Sequence, residues 1–286
     1  MKSYSIRILK DRLLKTMVII LSVLTCVPLI LIIGKVLLKG YRQINLSFFT
    51  ETTPSTLDAM LAVNNNQLIP GGIANGITGT MMMVLIATVI AVPIGLLCGV
   101  YLSENRKTRF AGIIRFLTEI LQGTPSIITG IIAYIWVVVP MRSYSAIAGS
   151  ISLAIMLLPL IIRSTEETLN LLPESLKEAS LSLGSSYTMM VLKVLIPSAF
   201  GGILTGILLA ISRVIGETAP LMLTALGASA IQWDPAKPTS AVSLLIWEFY
   251  NDPNLSNMIW SASLFLLILV LVLNLTAKKI AKKWKI

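Results

Sequence analysis

Crossing a hydrocarbon core about 30 Å thick takes roughly 20 apolar residues as a helix. Six segments of this chain approach that length: 16–38, 76–102, 117–139, 145–162, 199–223 and 258–276. Backbone amides and carbonyls find no partners in lipid, so each run must satisfy its own hydrogen bonds and is expected to be a helix. The expected fold class is therefore an all-α membrane protein with six transmembrane helices. Composition agrees with this. Hydrophobic residues make up 55% of the chain and charged residues only 13%, with a mean hydropathy of +0.85. That is about half the charged share of a soluble domain, too little to cover a water-facing globule. The first run is too long for a signal segment and no small-residue cleavage site follows, so it is expected to be a retained helix.

The net charge of +10 would suit nucleic acid, but the placement of the charges argues otherwise. Most of the 23 Lys and Arg fall into four groups: Lys2, Arg7, Lys10, Arg12 and Lys15; Arg106, Lys107, Arg109 and Arg115; Arg163, Lys177 and Lys193; and Lys278, Lys279, Lys282, Lys283 and Lys285. These lie on one side of the six-helix layout. The other side has Lys35, Lys39, Arg42, Arg142 and Lys237. The positive-inside rule then puts both termini in the cytoplasm of a bacterial-type inner membrane. The basic surface becomes a topology signal and an anionic-lipid contact, and nucleic acid is not an expected partner. Cys26 and Cys98 sit far apart in apolar runs, and there is no His, so no metal site is expected. The helices lack paired carboxylates or a nucleophile with a base, which disfavours an enzyme. Trp233, Trp247 and Trp260 suit interfacial anchoring.

The second run carries Ala87, Ala91, Gly95 and Gly99, a four-residue repeat of small side chains. Such a stripe lets helix backbones approach closely, inside the bundle or against a partner subunit. Pro93, Pro125 and Pro159 are expected to kink the second, third and fourth runs. The connection 163–197 reads as a short helix. Pro173 and Glu174 start it, Gly184 stops it in a left-handed turn, and Ser185 or Ser186 caps the next helix. Leu176, Ala179, Ser180 and Leu183 recur at helical spacing, giving a face without aromatics. That face suits a groove on another protein better than a lipid surface, which would favour Trp, Phe and more Lys. In the fifth run, Arg213 and Glu217 stand four residues apart, on one face of the expected helix. Ionisable groups at membrane depth are costly. They serve either as a self-neutralising pair or as an anion-handling pair, and the second reading is favoured.

Two resemblances bear on function. Glu178-Ala179-Ser180, then Gly184, then Val194-Leu195-Ile196-Pro197 resembles the EAA loop of ABC importer permeases. The resemblance implies a type I ABC importer permease fold and a coupling helix over about 173–184. Glu178, Ala179, Ser180 and Gly184 would then form its contact with an ATPase. Arg213-Val214-Ile215-Gly216-Glu217-Thr218-Ala219-Pro220-Leu221 resembles the signature of the phosphate-specific transport (Pst) permeases, with the ending of the PstA-type subunit. Thr118–Leu121, Thr124–Ile127 and Leu158–Glu166 resemble the same family. It implies roles in moving phosphate for Arg213, Glu217 and Arg163, with Thr218 in the same segment.

The resemblance also implies an organisation and a set of partners. Residues 1–75 would form a cytoplasmic segment, the first helix and an external loop; 76–277 the permease core; and 278–286 a basic cytoplasmic tail. No phosphate-cradling G-x-x-x-x-G-K-[ST] occurs, so no cofactor is expected in this chain; ATP and Mg²⁺ would belong to a separate ATPase. The implied partners are a PstC-type permease, two copies of a PstB-type ATPase and an extracytoplasmic phosphate-binding protein, the exterior stretches 39–75 and 225–257 facing the last. A permease for sulfate or molybdate remains an alternative, as does an ATP-independent secondary transporter.

Overall fold

The computed structural model describes the backbone of residues 2–283 and the side chains of residues 10–283. The side chains of Lys2 and Arg7, and Lys285 with the end of the basic tail, lie outside the described residues. Helices account for nearly all regular structure among the described residues. They run in order from α1 (Lys2–Gly40), α2 (Leu46–Thr50) and α3 (Thr56–Asn64) to α4 (Ala74–Glu104). Next come α5 (Arg109–Gly123), α6 (Ser126–Ala133) and α7 (Val139–Met141), and then α8 (Ala146–Asn170). The connection after α8 holds α9 (Glu174–Ser182) and α10 (Tyr187–Met190). The chain closes with α11 (Ile196–Val214), α12 (Ala219–Met222), α13 (Val242–Tyr250) and α14 (Ser256–Lys283). By length and apolarity five stretches can cross a membrane, and the bent pair 109–123 and 126–141 makes a sixth if taken as one span.

Two of the expected spans differ from simple helices. The third, expected as one helix over 117–139, turns by 106° between α5 and α6. The turn falls at Thr124–Pro125. A residue before proline is pushed to extended backbone, and Thr124 has φ −74° and ψ 131°. The fifth, expected over 199–223, stops at Val214. Prolines also explain two π-helical turns, Tyr134–Val138 and Val191–Leu195, which lie just ahead of Pro140 and Pro197. A proline has no N–H and its ring crowds the carbonyl four residues back, so one wider turn relieves the clash without ending the helix.

The core is built around α8, which packs between α4 and α11. The small-residue stripe of α4 faces α8: Ala87 and Ala91 are fully buried beside Leu153, Leu157 and Ile161. At Gly99 a β-carbon would stand only 2.6 Å from Thr165 Cβ, so the close approach requires glycine. On the other side of α8, a β-carbon at Gly206 of α11 would collide with Ser164. Of the two readings open for the stripe, packing inside the bundle is the one realised.

A second core lies at the opposite end from α9. Phe48, Ala59, Ile69 and Ile73 pack with Val242, Leu245 and Phe249 of α13 and Met258 of α14. Polar bonds close this cap. The Asn75 side-chain amide, 1% exposed, donates to Ala228 O at 2.8 Å, and Val242 N donates to Thr80 Oγ1 at 2.9 Å. The two long segments 39–75 and 225–257 are thus folded against each other. Helix α1 joins the bundle only near its end, where Ser261 Oγ donates to Gly40 O at 2.6 Å and Lys39 Nζ stands over the Trp260 ring. Most of its apolar stretch is exposed, Leu24 and Ile30 among it, while Val36 near its end is buried.

Candidate functional site

Arg213 sits on the last turn of α11, and its position follows from how that helix ends. Glu217 N donates to Val214 O at 3.1 Å, closing a turn over Ile215 and Gly216. Pro220 then opens the short helix α12, with Met222 N bonded to Thr218 O at 3.1 Å. The break is wedged in place from two sides. Gly130 of α6 lies flat against Pro220, where a β-carbon would stand 2.8 Å from the proline Cα. From α13, Ser243 Oγ donates to the Glu217 carbonyl at 2.7 Å. Because α11 stops at Val214, Arg213 and Glu217 do not share a continuous helical face. Among the described residues no ion pair joins them, so the self-neutralising arrangement is not formed. Glu217 and Thr218 are half-buried at the break, while Arg213 is exposed.

The Arg213 side chain borders a narrow recess with Gln122 and Thr124 of the α5–α6 bend, Thr129 of α6, and Met156, Pro159 and Leu160 of α8. One turn further along α8, Arg163 borders a larger cleft of about 240 Å³ with Arg115, Thr118, Glu119, Glu166, Glu167 and Asn170. Gln122 lines both, so the two hollows adjoin. Arg163, about two turns before the end of α8, and Arg213, at the end of α11, therefore stand on one side of the bundle, along the α5–α6 bend. Arg163 is occupied here: its Nε donates to Glu167 Oε1 at 2.8 Å, an i,i+4 pair with both side chains more than half exposed. Such a pair is weak and readily exchanged.

Sequence reasoning did not anticipate Arg115. Its guanidinium donates to Glu166 Oε1 at 2.8 Å and to the carbonyls of Arg106 and Leu102 at 3.0 Å each. It thereby ties α5, the end of α4 and α8 together at the cleft wall. The partner lies 51 residues away, so no local spacing could signal it.

The coupling candidates occupy α9. Pro173 stands just before the helix and Glu174 begins it. Gly184 stops it at φ +79°, and Ser186 rather than Ser185 caps α10, accepting from Met189 N. The expected apolar face is divided. Leu176 and Ser180 turn toward the bundle, whereas Glu178, Ala179 and Gly184 are exposed, together with Leu183 at 88%. The outward face thus carries three of the four coupling candidates, Glu178, Ala179 and Gly184, while Ser180 is buried with no hydrogen-bond partner among the described residues.

Comparison with known proteins completes the description. Residues 91–286 match the family described as binding-protein-dependent transport system inner membrane component. The phosphate transport system permease protein PstA of Yersinia pestis is 38% identical over 260 residues, spanning 90% of this chain and 85% of that protein. The corresponding protein of Pasteurella multocida is 34% identical over 275 residues, spanning 95% and 94%. Among solved structures, a chain of the inward-facing MetNI methionine ABC transporter superimposes with a TM-score of 0.58 at 21% identity, covering 74% of this chain and 94% of that one. That similarity is one of fold.

Proposed function

We infer that this chain, which belongs to the binding-protein-dependent transport inner-membrane components and among them to the PstA-type phosphate permeases, is the transmembrane permease subunit of an ATP-driven importer of inorganic phosphate. The observation that carries the reading is the exposed Arg213 at a helix break, on the same side of the bundle as Arg163, within a chain similar to PstA over nearly its whole length. Phosphate near neutral pH carries between one and two negative charges, and one or two guanidiniums offset that at membrane depth. Arg213 meets the anion, Arg163 receives it by exchanging its bond to Glu167, and Glu217 and Thr218 shape the break beside it. Because the pathway side of one permease is open, a PstC-type permease supplies the other half.

The outward face of α9 takes the groove of a partner ATPase, present in two copies of PstB type, with ATP and Mg²⁺ held there and not in this chain. The termini lie in the cytoplasm on the charge asymmetry described above. The exterior cap then faces an extracytoplasmic phosphate-binding protein. Residues 1–75, 76–277 and 278–286 divide into first helix with external loop, permease core and basic tail.

The test is ATP-driven uptake of labelled phosphate by the complete complex in proteoliposomes, with Arg213→Gln beside wild type and sulfate as competitor. Uptake that needs ATP, resists sulfate and is lost in a fully assembled Arg213→Gln complex is the expected result. Uptake by wild type without ATP, or equal competition by sulfate, would overturn it.

A further inference from the structure

Glu104, the last residue of α4, is an acid at the end of a helix where the backbone dipole disfavours negative charge. It is nonetheless tucked in, with its side chain only 9% exposed. Both of its oxygens are engaged from the connection after α8. Lys177 Nζ of α9 pairs with Oε1, and Tyr187 Oη at the start of α10 donates to Oε2 at 3.3 Å. The partners are 73 and 83 residues away and flank the Gly184 turn. Beside this clasp, Leu172 and Leu176 join an apolar patch with Leu96 and Val100 of α4 and with Met190, Val191 and Leu195.

The rest of the attachment of α9 is compliant. It hangs between Leu171–Pro173 and Leu183–Ser186, where Gly184 adopts φ +79° with open space around it. A force on α9 transmitted only through these links would bend them. The clasp and the small apolar patch instead join α9 to α4, and α4 is locked to α8 by the glycine contacts at Gly95 and Gly99.

We propose that Glu104 is a positioning residue for energy coupling: it holds α9 to the end of α4, so that displacement of α9 moves α4 and α8 as one body. This rests on the reading that an ATPase docks on α9. The lysine is not stranded when Glu104 is neutralised, since Glu174 borders the same cleft. Glu104→Gln is therefore a test of transmission more than of folding.

The experiment uses the complete complex with its binding protein in proteoliposomes and reads phosphate taken up per ATP hydrolysed. In E104Q the ratio is expected to fall about fivefold while hydrolysis continues, a loss of coupling of the usual size for one network residue. The charge-swapped E104K/K177E complex is expected to recover most of it. An unchanged ratio in E104Q, or a swap no better than E104Q, overturns the proposal. A second measurement keeps the clasp intact: spin labels at S175C on α9 and K107C beside α4, in a complex whose Cys26 and Cys98 are replaced by serine and which is otherwise wild type. Their separation is expected to stay constant between nucleotide-free and nucleotide-bound states. A change of more than about 5 Å, one helical turn, overturns the rigid connection. Absence of ATP-driven uptake in wild type would instead reject the phosphate-importer reading and leave the spin-label result standing on its own.

Discussion

Replacing Gly99 by alanine adds one methyl group at a close crossing of α4 and α8, and its cost can be worked from the geometry. The added carbon would stand 2.6 Å from Thr165 Cβ, 2.8 Å from Thr165 Cγ2 and 2.9 Å from Ile162 O. Ordinary carbon contacts lie near 3.5–4.0 Å, so α4 and α8 must part by about 1 Å or bend locally. Thr165 is fully buried and cannot swing aside. Overpacking of this kind costs about 1–3 kcal/mol, against a gain of about 0.5–1 kcal/mol from giving a helix alanine in place of glycine. A net loss of about 1–2 kcal/mol corresponds to a fall in melting temperature on the order of 5 °C. The chain carries its own reporter: Cys98, adjacent on α4 and half-buried, becomes reactive to a fluorogenic maleimide when the helices separate. Exposed Cys26 is first changed to serine to remove background. Gly112→Ala is the matched control, because a β-carbon there meets nothing within 4 Å and only the helix gain remains. The reasoning fails if Gly99→Ala melts at or above the wild-type temperature, or if Gly112→Ala melts as low as Gly99→Ala.

Three further outcomes are expected. Arg115→Gln removes a pair with the mostly buried Glu166 and the bonds to Leu102 O and Arg106 O, and should cost about 1–2 kcal/mol in the same melting assay; wild-type stability would show the tie to be idle. Ser180→Ala removes a buried hydroxyl that has no partner among the described residues and should raise stability by about 1 kcal/mol, and a fall would contradict this. Burial on α13 pushes the Glu248 carboxyl above its ordinary value, so the folded chain binds that proton more tightly than the unfolded one. The stability this provides is complete below the unfolded value and is lost as pH rises through the folded one. Glu248→Gln should therefore stabilise more at neutral pH than in mild acid, and an equal or reversed effect in paired melts would refute it.

Much of the architecture was legible because lipid leaves a helix few alternatives. The runs at 16–38, 76–102 and 258–276 each fall within a long helix, the run at 145–162 does so from Ala146 on with Ser145 as the cap of α8, and the spacing of Ala87, Ala91, Gly95 and Gly99 marked the face that meets α8. Apolarity alone does not record direction, which is why the 106° turn at Thr124–Pro125 was hidden inside a run that looked continuous. Likewise Gly216 and Pro220 carried the signal for ending α11 at Val214, but hydropathy continues across them and masked it. Arg213 and the α9 segment stood out as candidates because their residues cluster in sequence. The Arg115–Glu166 and Glu104–Lys177–Tyr187 connections did not, since they join side chains of different helices 51, 73 and 83 positions apart.

The central position of α8 has a consequence for how such chains drift apart over time. Ser164 and Thr165 are neighbours in sequence, yet one is pressed against Gly206 of α11 and the other against Gly99 of α4. Each therefore has its size fixed by a different helix. In diverging lineages, a side chain at 206 should be accepted only when the residue at 164 shrinks, and one at 99 only when the residue at 165 shrinks. Two adjacent codons would then evolve almost independently of each other, each tethered to a distant one.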